Sequence, residues 1–409
     1  MKLLNKIIVI IFLFVIYIYV CYFSYLPENY IVIQGEEFKM PKLFGIKILN
    51  EYENENEYNS LETSSNLGEN KLNNIGRNKV SVNLFDKLKI KNCNINVIPK
   101  TRVIPIGKAI GMKLYTDGVL VVGMSEIEGE KPYINSGIKE GDRIVEIDKT
   151  KIRNTDDLVN KVNASNGKEI EVKYIRNEEE CFSYIKPVQS KKNEYRLGLW
   201  VRDAAAGVGT LTFYEPSTNS FATLGHGILD IDTSNLIKIS NGELVTTNIL
   251  KIKKGEKGRP GEIRGTIENG STIGKISKNT NFGVFGQLTN KKISGINNLN
   301  EMDVCYRNEI KKGNAEIICE LENGKQEKYN IEIKKIFLNN NENNKSMLIK
   351  ITDERLLNKT GGIIQGMSGA PIIQEGKFVG AVTNVLVNDP SMGYGVFADI
   401  MLKQMRKIE

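Results

Sequence analysis

A run of twenty uncharged, mostly apolar residues lies near the start of the 409-residue chain, from Ile7 to Leu26. At a rise of about 1.5 Å per residue, a helix of this length spans the roughly 30 Å hydrocarbon core of a bilayer. Lys2 and Lys6 precede the run, which predicts a cytoplasmic N-terminus and an extracytoplasmic remainder. A cleaved signal peptide is the alternative, but its apolar region would be shorter and followed by a small-x-small site. We therefore expect a single membrane anchor over residues 1–27.

The composition excludes several classes of function. The net charge of +7 is spread along the chain, and no dense Lys/Arg block with interleaved aromatic residues is present, which argues against nucleic-acid binding. The chain has a single histidine, and its five cysteines form no CxxC pair. This pattern supports neither a metal site nor a disulfide scaffold, and we expect no metal and no cofactor.

Composition also divides the chain into regions. Residues 28–50 contain a short extended-looking segment, and residues 51–80 are so rich in Asn, Glu and Ser that they predict a linker unable to bury a core. From residue 81 short β-like runs follow one another, interrupted by one helical segment at 155–162. We expect a mainly β protein, with one domain over 81–190 and a second over 191–409, the latter a barrel or sandwich.

The first of these domains contains a recognisable pattern. IGMKLYTDGVLVVGM, KPYINSGIKEGDRIVEIDKTKI, the helical segment and EIEVKYI together resemble a bacterial PDZ domain over residues 110–176. In that family an extended peptide adds a strand beside a helix, and a loop of backbone amides holds its carboxylate. The resemblance places this peptide-binding loop at Ile110, Gly111 and Met112.

Two glycine-framed residues in the second domain suggest catalysis. His226 lies between Gly225 and Gly227, and Ser368 lies in the run Gly366-Met-Ser-Gly-Ala-Pro. Either residue alone is also typical of an ordinary turn. The backbone N–H groups of Gly366 and Ser368 are candidates for an oxyanion hole, worth roughly 3–4 kcal/mol per donor. Because a serine hydroxyl needs a base and the chain has one imidazole, the pair predicts acyl transfer by Ser368 with His226 as base.

Longer runs extend this interpretation. FYEPSTNSFATLGHGILDIDT, KGRPGEIRGTI, ITDERLLNKTGGIIQGMSGAPII and GAVTNVLVNDPSMGYGVF, with the membrane segment and the PDZ-like region, resemble the stage IV sporulation protein B family of serine peptidases. GMSGAP is also similar to the GDSGGP box of chymotrypsin-like peptidases, which implies a trypsin-like double β-barrel. The resemblance places the base on His226, the nucleophile on Ser368 and the acid on Asp353.

The acid is the least determined member of this set. Asp353 lies only 15 residues before Ser368, whereas the chymotrypsin-like pattern has its aspartate far upstream. Asp230 and Asp232 follow closely after His226 and are alternatives. The second imidazole nitrogen needs an acceptor to fix its tautomer, but spacing does not decide which carboxylate supplies it.

The resemblance implies a signalling peptidase of endospore-forming bacteria. Such an enzyme is anchored in the forespore inner membrane, faces the intermembrane space, cleaves itself near the N-terminus and is released. It then cuts the extracytoplasmic part of a regulator of an intramembrane protease, which activates a late sporulation sigma factor. A non-catalytic, membrane-tethered PDZ adaptor is the alternative from another class. An HtrA-like protease is a second alternative, although its PDZ domains follow the protease domain.

Overall fold

The computed structural model describes residues 2–26, 28–34, 46–51, 76–84, 88–289, 299–338 and 343–406. The chain divides into two compact units, Met1–Thr101 and Arg102–Glu409. Residues 52–75, which form most of the predicted linker, lie outside the described residues.

The first unit combines a helix with a small sheet. Helix α1 (Lys2–Tyr25) is long and apolar enough over Lys6–Ser24 to cross a membrane, with a mean hydropathy of 2.8, as a membrane anchor or a signal sequence would be. The sheet has the order β1-β4-β3-β2. Its strands are β1 (Asn29–Ile33), β2 (Ile46–Glu51), β3 (Gly76–Leu84) and β4 (Leu88–Ile98).

The extent of this sheet differs from the sequence prediction. Strands β3 and β4 were expected in part to open the PDZ-like domain at residue 81, but β4 pairs in parallel with β1 and antiparallel with β3. Val82 and Ile95 are buried in the core of this unit, against which Tyr22 and Phe23 of α1 pack. The apolar alternation of these strands is therefore satisfied within the first unit, which extends to Thr101.

The second unit consists mainly of strands. Its first part contains β5 (Arg102–Met124), β6 (Arg143–Ile147), β7 (Thr150–Lys151), α2 (Thr155–Ala164), β8 (Ile170–Arg176), β9 (Glu179–Ile185), β10 (Val188–Gln189) and β11 (Tyr195–Arg196). Its middle part contains β12 (Leu199–Glu215), β13 (Ser220–Thr223), β14 (Ile239–Lys253), β15 (Glu262–Thr280), β16 (Gly283–Leu288) and β17 (Met302–Asp303). Its last part contains β18 (Gly313–Glu322), β19 (Lys325–Ile336), β20 (Met347–Ile351), α3 (Glu354–Thr360), β21 (Pro371–Gln374), β22 (Lys377–Leu386), β23 (Asp389–Phe397) and α4 (Ala398–Arg406).

Six strands form a first barrel in the order β12-β13-β16-β15-β14-β5, closed by the pairing of β5 with β12. Its buried core includes Ile110, Met112, Leu211 and Phe221. A second barrel closes in the order β18-β19-β20-β23-β22-β21. The predicted double β-barrel is thus confirmed.

The PDZ-like domain is built into the first barrel. It uses the end of β5, strands β6 to β9, helix α2 and the beginning of β12, around a core that includes Val121, Ile144, Leu158 and Val172. Strands β5 and β12 therefore belong to both domains. The first half of β5 precedes the PDZ-like fold and closes the peptidase barrel, so this barrel takes strands from both sides of the predicted boundary at residue 190/191.

Candidate active site

His226 follows β13 directly, on a loop at the edge of the first barrel. The two residues before it, Leu224 and Gly225, both have positive φ, which turns the chain sharply out of the strand. A Cβ on Gly225 would lie 3.0 Å from the side-chain methyl of Thr383. Since Thr383 lies on β22, the histidine enters the site where the two barrels meet.

The imidazole of His226 is half-buried and has one hydrogen bond, 2.8 Å from Nδ1 to the backbone oxygen of Gly227. A carbonyl oxygen only accepts, so Nδ1 carries the proton and Nε2 keeps its lone pair. Burial lowers the pKa of His226 below its ordinary value of 6.5, with the bond to Gly227 opposing this effect. The ring is therefore neutral near pH 7, the state that a general base requires.

Ser368 lies on the loop 366–370, which we call the serine loop, between α3 and β21. The loop is held on both sides: Gly369 N donates to Val382 O at 2.8 Å, and Thr210 N of β12 donates to Ser368 O at 3.2 Å. The Ser368 hydroxyl donates to Thr383 O at 2.8 Å. Within the described residues no hydrogen bond joins it to His226.

The predicted oxyanion-hole amides have a suitable environment. Thr210 Oγ1 donates to Gly366 O at 2.6 Å and fixes that peptide. In the part of the chain that the structure describes, neither Gly366 N–H nor Ser368 N–H has a hydrogen-bond partner. Two unpaired N–H groups, two residues apart and beside a serine hydroxyl, can donate hydrogen bonds to the oxyanion of a tetrahedral intermediate and stabilise it.

Asp353 lies at the N-cap of α3 and not against the histidine. Its carboxylate accepts from Arg355 N, from Asn330 N and from the Arg355 guanidinium, at 2.9–3.2 Å. The hydrogen bonds from Arg355 outweigh burial and lower the pKa of Asp353 to about 2. No bond joins Asp353 to His226 among the described residues, so its role as the acid stays a prediction.

The two alternative carboxylates share one arginine. Asp230 and Asp232 bind Nη1 and Nη2 of Arg202 at 2.5 and 2.7 Å. Asp230 is buried, and bonds from Arg202 and from Thr233 lower its pKa against the opposing effect of burial. Neither carboxylate bonds His226 within the described chain, where the acceptor of Nδ1 is the Gly227 carbonyl.

The predicted PDZ loop requires a correction. Gly111 lies in the middle of β5, paired with Val208 of β12 on one edge and Val245 of β14 on the other. Ile110 and Met112 are buried in the first barrel. These three residues therefore form a closed barrel strand and offer no open amides to a peptide.

A groove of about 540 Å³ lies instead between α2 and the beginning of β12. Leu158 and Val162 of α2 line one wall, and Leu199 and Trp200 line the other. Leu197-Gly198-Leu199 repeats the apolar-Gly-apolar pattern of Ile110-Gly111-Met112, immediately before a strand and with Gly198 at φ +71°. That repeat is the sequence signal that points to this groove, and it lies beyond the predicted end of the PDZ-like domain at residue 190.

Comparisons with known proteins agree with this architecture. The SpoIVB peptidase S55 family matches residues 193–402, just over half of the chain, and the PDZ domain family matches residues 107–181. No curated protein matches the chain.

Similar solved structures include PDZ domains and proteases. A PDZ domain of an SdrC-like protein of Listeria monocytogenes is 21% identical and covers 21% of this chain and 87% of its own, with a TM-score of 0.18. The active form of the Rv3671c protease of M. tuberculosis is 13% identical, covers 50% and 74%, and has a TM-score of 0.28. The HtrA-type protease AlgW, solved with a decapeptide, is 13% identical, covers 50% and 53%, and has a TM-score of 0.29.

The family match covers the glycine-framed histidine and serine, the whole second barrel and every strand of the first barrel except β5. The chain is a serine endopeptidase with a PDZ domain, and it belongs to the SpoIVB peptidase S55 family.

Proposed function

We propose that this endopeptidase is anchored by α1, cleaves its own chain, and cuts an extracytoplasmic regulatory protein as a signal in sporulation. The observation that carries the catalytic part is the combination of a neutral His226 with an unprotonated Nε2 and two unpaired amides at Gly366 and Ser368. The family match supports the sporulation role, and the apolar helix supports the anchor.

The proposed reaction begins when the Ser368 hydroxyl leaves Thr383 O and turns toward Nε2 of His226. The hydroxyl loses its proton to the ring as Oγ attacks the scissile carbonyl carbon, and the amides of Gly366 and Ser368 stabilise the oxyanion. The imidazolium then protonates the leaving amine, and water hydrolyses the acyl-enzyme by the same base. In this proposal the hydrogen bond from Ser368 to Thr383 O belongs to the resting enzyme, and it breaks when substrate binds.

We infer that self-cleavage falls between the anchor and the PDZ-like domain, within residues 52–75 of the predicted linker, because Glu51 and residues 76–80 are paired in β2 and β3. Their composition is that of a segment exposed to proteases. Cleavage there would cut the chain between the anchor and the second unit. Release from the forespore inner membrane into the intermembrane space would also require β4 to separate from β1 and β3 from β2. The groove between α2 and β12 is the proposed binding site for the enzyme's own segment or for a target, and the regulator of an intramembrane protease is the proposed substrate.

A fluorophosphonate probe tests the catalytic proposal directly. We expect the full chain, purified in detergent, to form one adduct, and peptide mapping by mass spectrometry to place it on Ser368. Heat-denatured protein is the control and should form none, because reactivity depends on the assembled His226 and amides. An adduct on another serine would contradict the proposal. So would the absence of any adduct on both the full-length and the shortened chain.

Asp353→Asn is expected to lower stability in a pH-dependent way. The folded pKa of about 2 lies below the ordinary 3.8, so the carboxylate stabilises the fold above pH 4 and loses this effect as the pH falls toward 2. We expect the variant to lose on the order of 2 kcal/mol at pH 7 and to show a flatter acid limb. Thermal melts from pH 2 to 7 measure this, with Asp389→Asn, an exposed carboxylate bonded to Ser391, as control.

The same variant decides the acid of the proposed triad. At equal folded fraction, a roughly 10⁴-fold slower fluorophosphonate reaction would assign Asp353 to His226, in a state where it leaves Arg355. A wild-type rate would remove it from the triad and leave the Gly227 carbonyl as the group that orients the ring. Parallel acid limbs in the two proteins would contradict the stabilising ion pair.

A further inference from the structure

Strand β12 contacts every part of the proposed machinery. Its first residues, Leu199 to Val201, line the peptide groove. The next residue, Arg202, binds the loop that carries His226, and Thr210 binds the serine loop through both its N–H and its hydroxyl. One continuous strand thus joins the groove to both catalytic loops.

Arg202 binds two carboxylates, Asp230 and Asp232, of the histidine loop (residues 226–237). Asp230 is 2% exposed, and its second oxygen accepts from Asp232 N, Thr233 N and Thr233 Oγ1 at 3.0–3.1 Å. The loop closes on itself through Asp230 N to Asn235 O at 2.8 Å and Ile237 N to Ile228 O at 3.1 Å. Arg202 therefore holds the tip of a rigid loop whose base is the catalytic histidine.

The same point of the strand is tied to the other wall of the groove. Thr155 N, in the first turn of α2, donates to Asp203 Oδ2 at 2.7 Å. A peptide lying between α2 and β12 would contact Leu199 to Val201, directly before the residue that holds the histidine loop. The Arg202 side chain is 33% exposed, and its guanidinium balances the charge of the buried Asp230.

We propose that Arg202 is a positioning residue for His226, and that through it the state of the PDZ groove and the reactivity of Ser368 are coupled. This inference depends on the proposed catalytic function. It names no contact between Arg202 and substrate; the arginine acts by fixing where Nε2 lies relative to Oγ. Because one strand joins the two sites, we also expect acylation of Ser368 to change the surroundings of the groove.

The chain provides a spectroscopic reporter at the catalytic site and another in the groove. His226 is its sole histidine, so the imidazole ¹⁵N signal of histidine-labelled protein, purified through a histidine-free tag, belongs to the catalytic site alone. Trp200 is its sole tryptophan, lies in the groove and is 63% exposed, so its emission reports on the groove. The rate of fluorophosphonate labelling reports on Ser368.

The test compares Arg202→Ala with Arg176→Ala in the full chain. Arg176 is 32% exposed and pairs with the buried Asp142 in the PDZ-like domain, so the control removes the same type of ion pair away from the catalytic loops. We expect Arg202→Ala to slow labelling about 10- to 100-fold at equal folded fraction and to change the ¹⁵N signal. Arg176→Ala should change neither, and Arg202→Lys should restore part of the rate, since an ammonium can still bind one carboxylate.

Acylation of the wild type should shift Trp200 emission, and the shift should be lost in Arg202→Ala. If Arg202→Ala fails to fold, Arg202→Met with Asp230→Asn removes the pair without a buried charge and gives the same measurements. Wild-type labelling rates in these variants, equal slowing by Arg176→Ala, or unchanged Trp200 emission after acylation would overturn the inference. A wild type that does not label would instead contradict the catalytic proposal.

Discussion

Substituting Ser368 with Ala is expected to lower peptide hydrolysis on the order of 10⁵- to 10⁶-fold and to leave the chain at full length. The hydroxyl is the only proposed nucleophile, and the amides of Gly366 and Ser368 can stabilise an oxyanion only when one forms. His226→Ala should lose about as much, because nucleophile and base act as a unit and removal of either ends covalent catalysis. Mass spectrometry of chain length and hydrolysis of a fluorogenic peptide measure both effects.

Both variants must be folded for this comparison. The Ser368 side chain makes one hydrogen bond, to Thr383 O, and its loss should cost only about 1 kcal/mol. Ser391→Ala is a suitable control, since its hydroxyl bonds Asp389 on the surface and should leave activity unchanged. Shortening of the Ser368→Ala chain at the wild-type rate in a protease-free background would remove Ser368 as the nucleophile of self-cleavage.

Local sequence predicts Ser368 and His226 as the catalytic pair because the proposed chemistry depends on residue type. The chain has one imidazole, so a glycine-framed serine that needs a histidine as base has a single candidate. The structure adds what no spacing contains: the Ser368 hydroxyl rests on Thr383 O, and Nδ1 of His226 rests on the carbonyl of the next residue. Hydrogen bonds to backbone oxygens have no residue-type signature, so these contacts could not be predicted.

The sharing of strands between the two domains could not be predicted for a related reason. Short β-like runs from residue 81 predict strands, but not one long strand over Arg102–Met124 that serves two folds. The first half of β5 closes a barrel with β12 and β14, and its second half pairs in the PDZ-like sheet. The PDZ loop was placed wrongly at Ile110–Met112 for the same reason. An apolar-Gly-apolar sequence is compatible with a peptide-binding loop and with a barrel strand. Strand pairing between residues about 100 positions apart decides between them.

Gly369→Ala is expected to inactivate the enzyme without touching any group that reacts. Gly369 has φ +95°, and an added Cβ would lie 2.4 Å from Thr210 O and 2.6 Å from Leu224 N. These are backbone atoms of the first barrel, which cannot move aside as the end of a flexible side chain can. The serine loop must therefore withdraw from Thr210, which separates Ser368 from the histidine side of the cleft. We expect activity to fall about 100-fold or more and stability to fall by about 3 kcal/mol.

Gly376→Ala separates the effect of the contact from the effect of backbone conformation. Gly376 has φ +76°, but a Cβ there would meet nothing within 4 Å, so its cost is the left-handed conformation alone, about 1–2 kcal/mol. Chemical denaturation and fluorophosphonate labelling of both variants distinguish the effect of the steric contact from the effect of the left-handed conformation. Labelling at the wild-type rate in Gly369→Ala would show that the serine loop can move away from Thr210 and still react, and the close packing of the two barrels would then have no part in placing the nucleophile. Slow labelling in Gly369→Ala alone would instead show that catalysis depends on the approach of one backbone to another, which only a residue without a side chain permits.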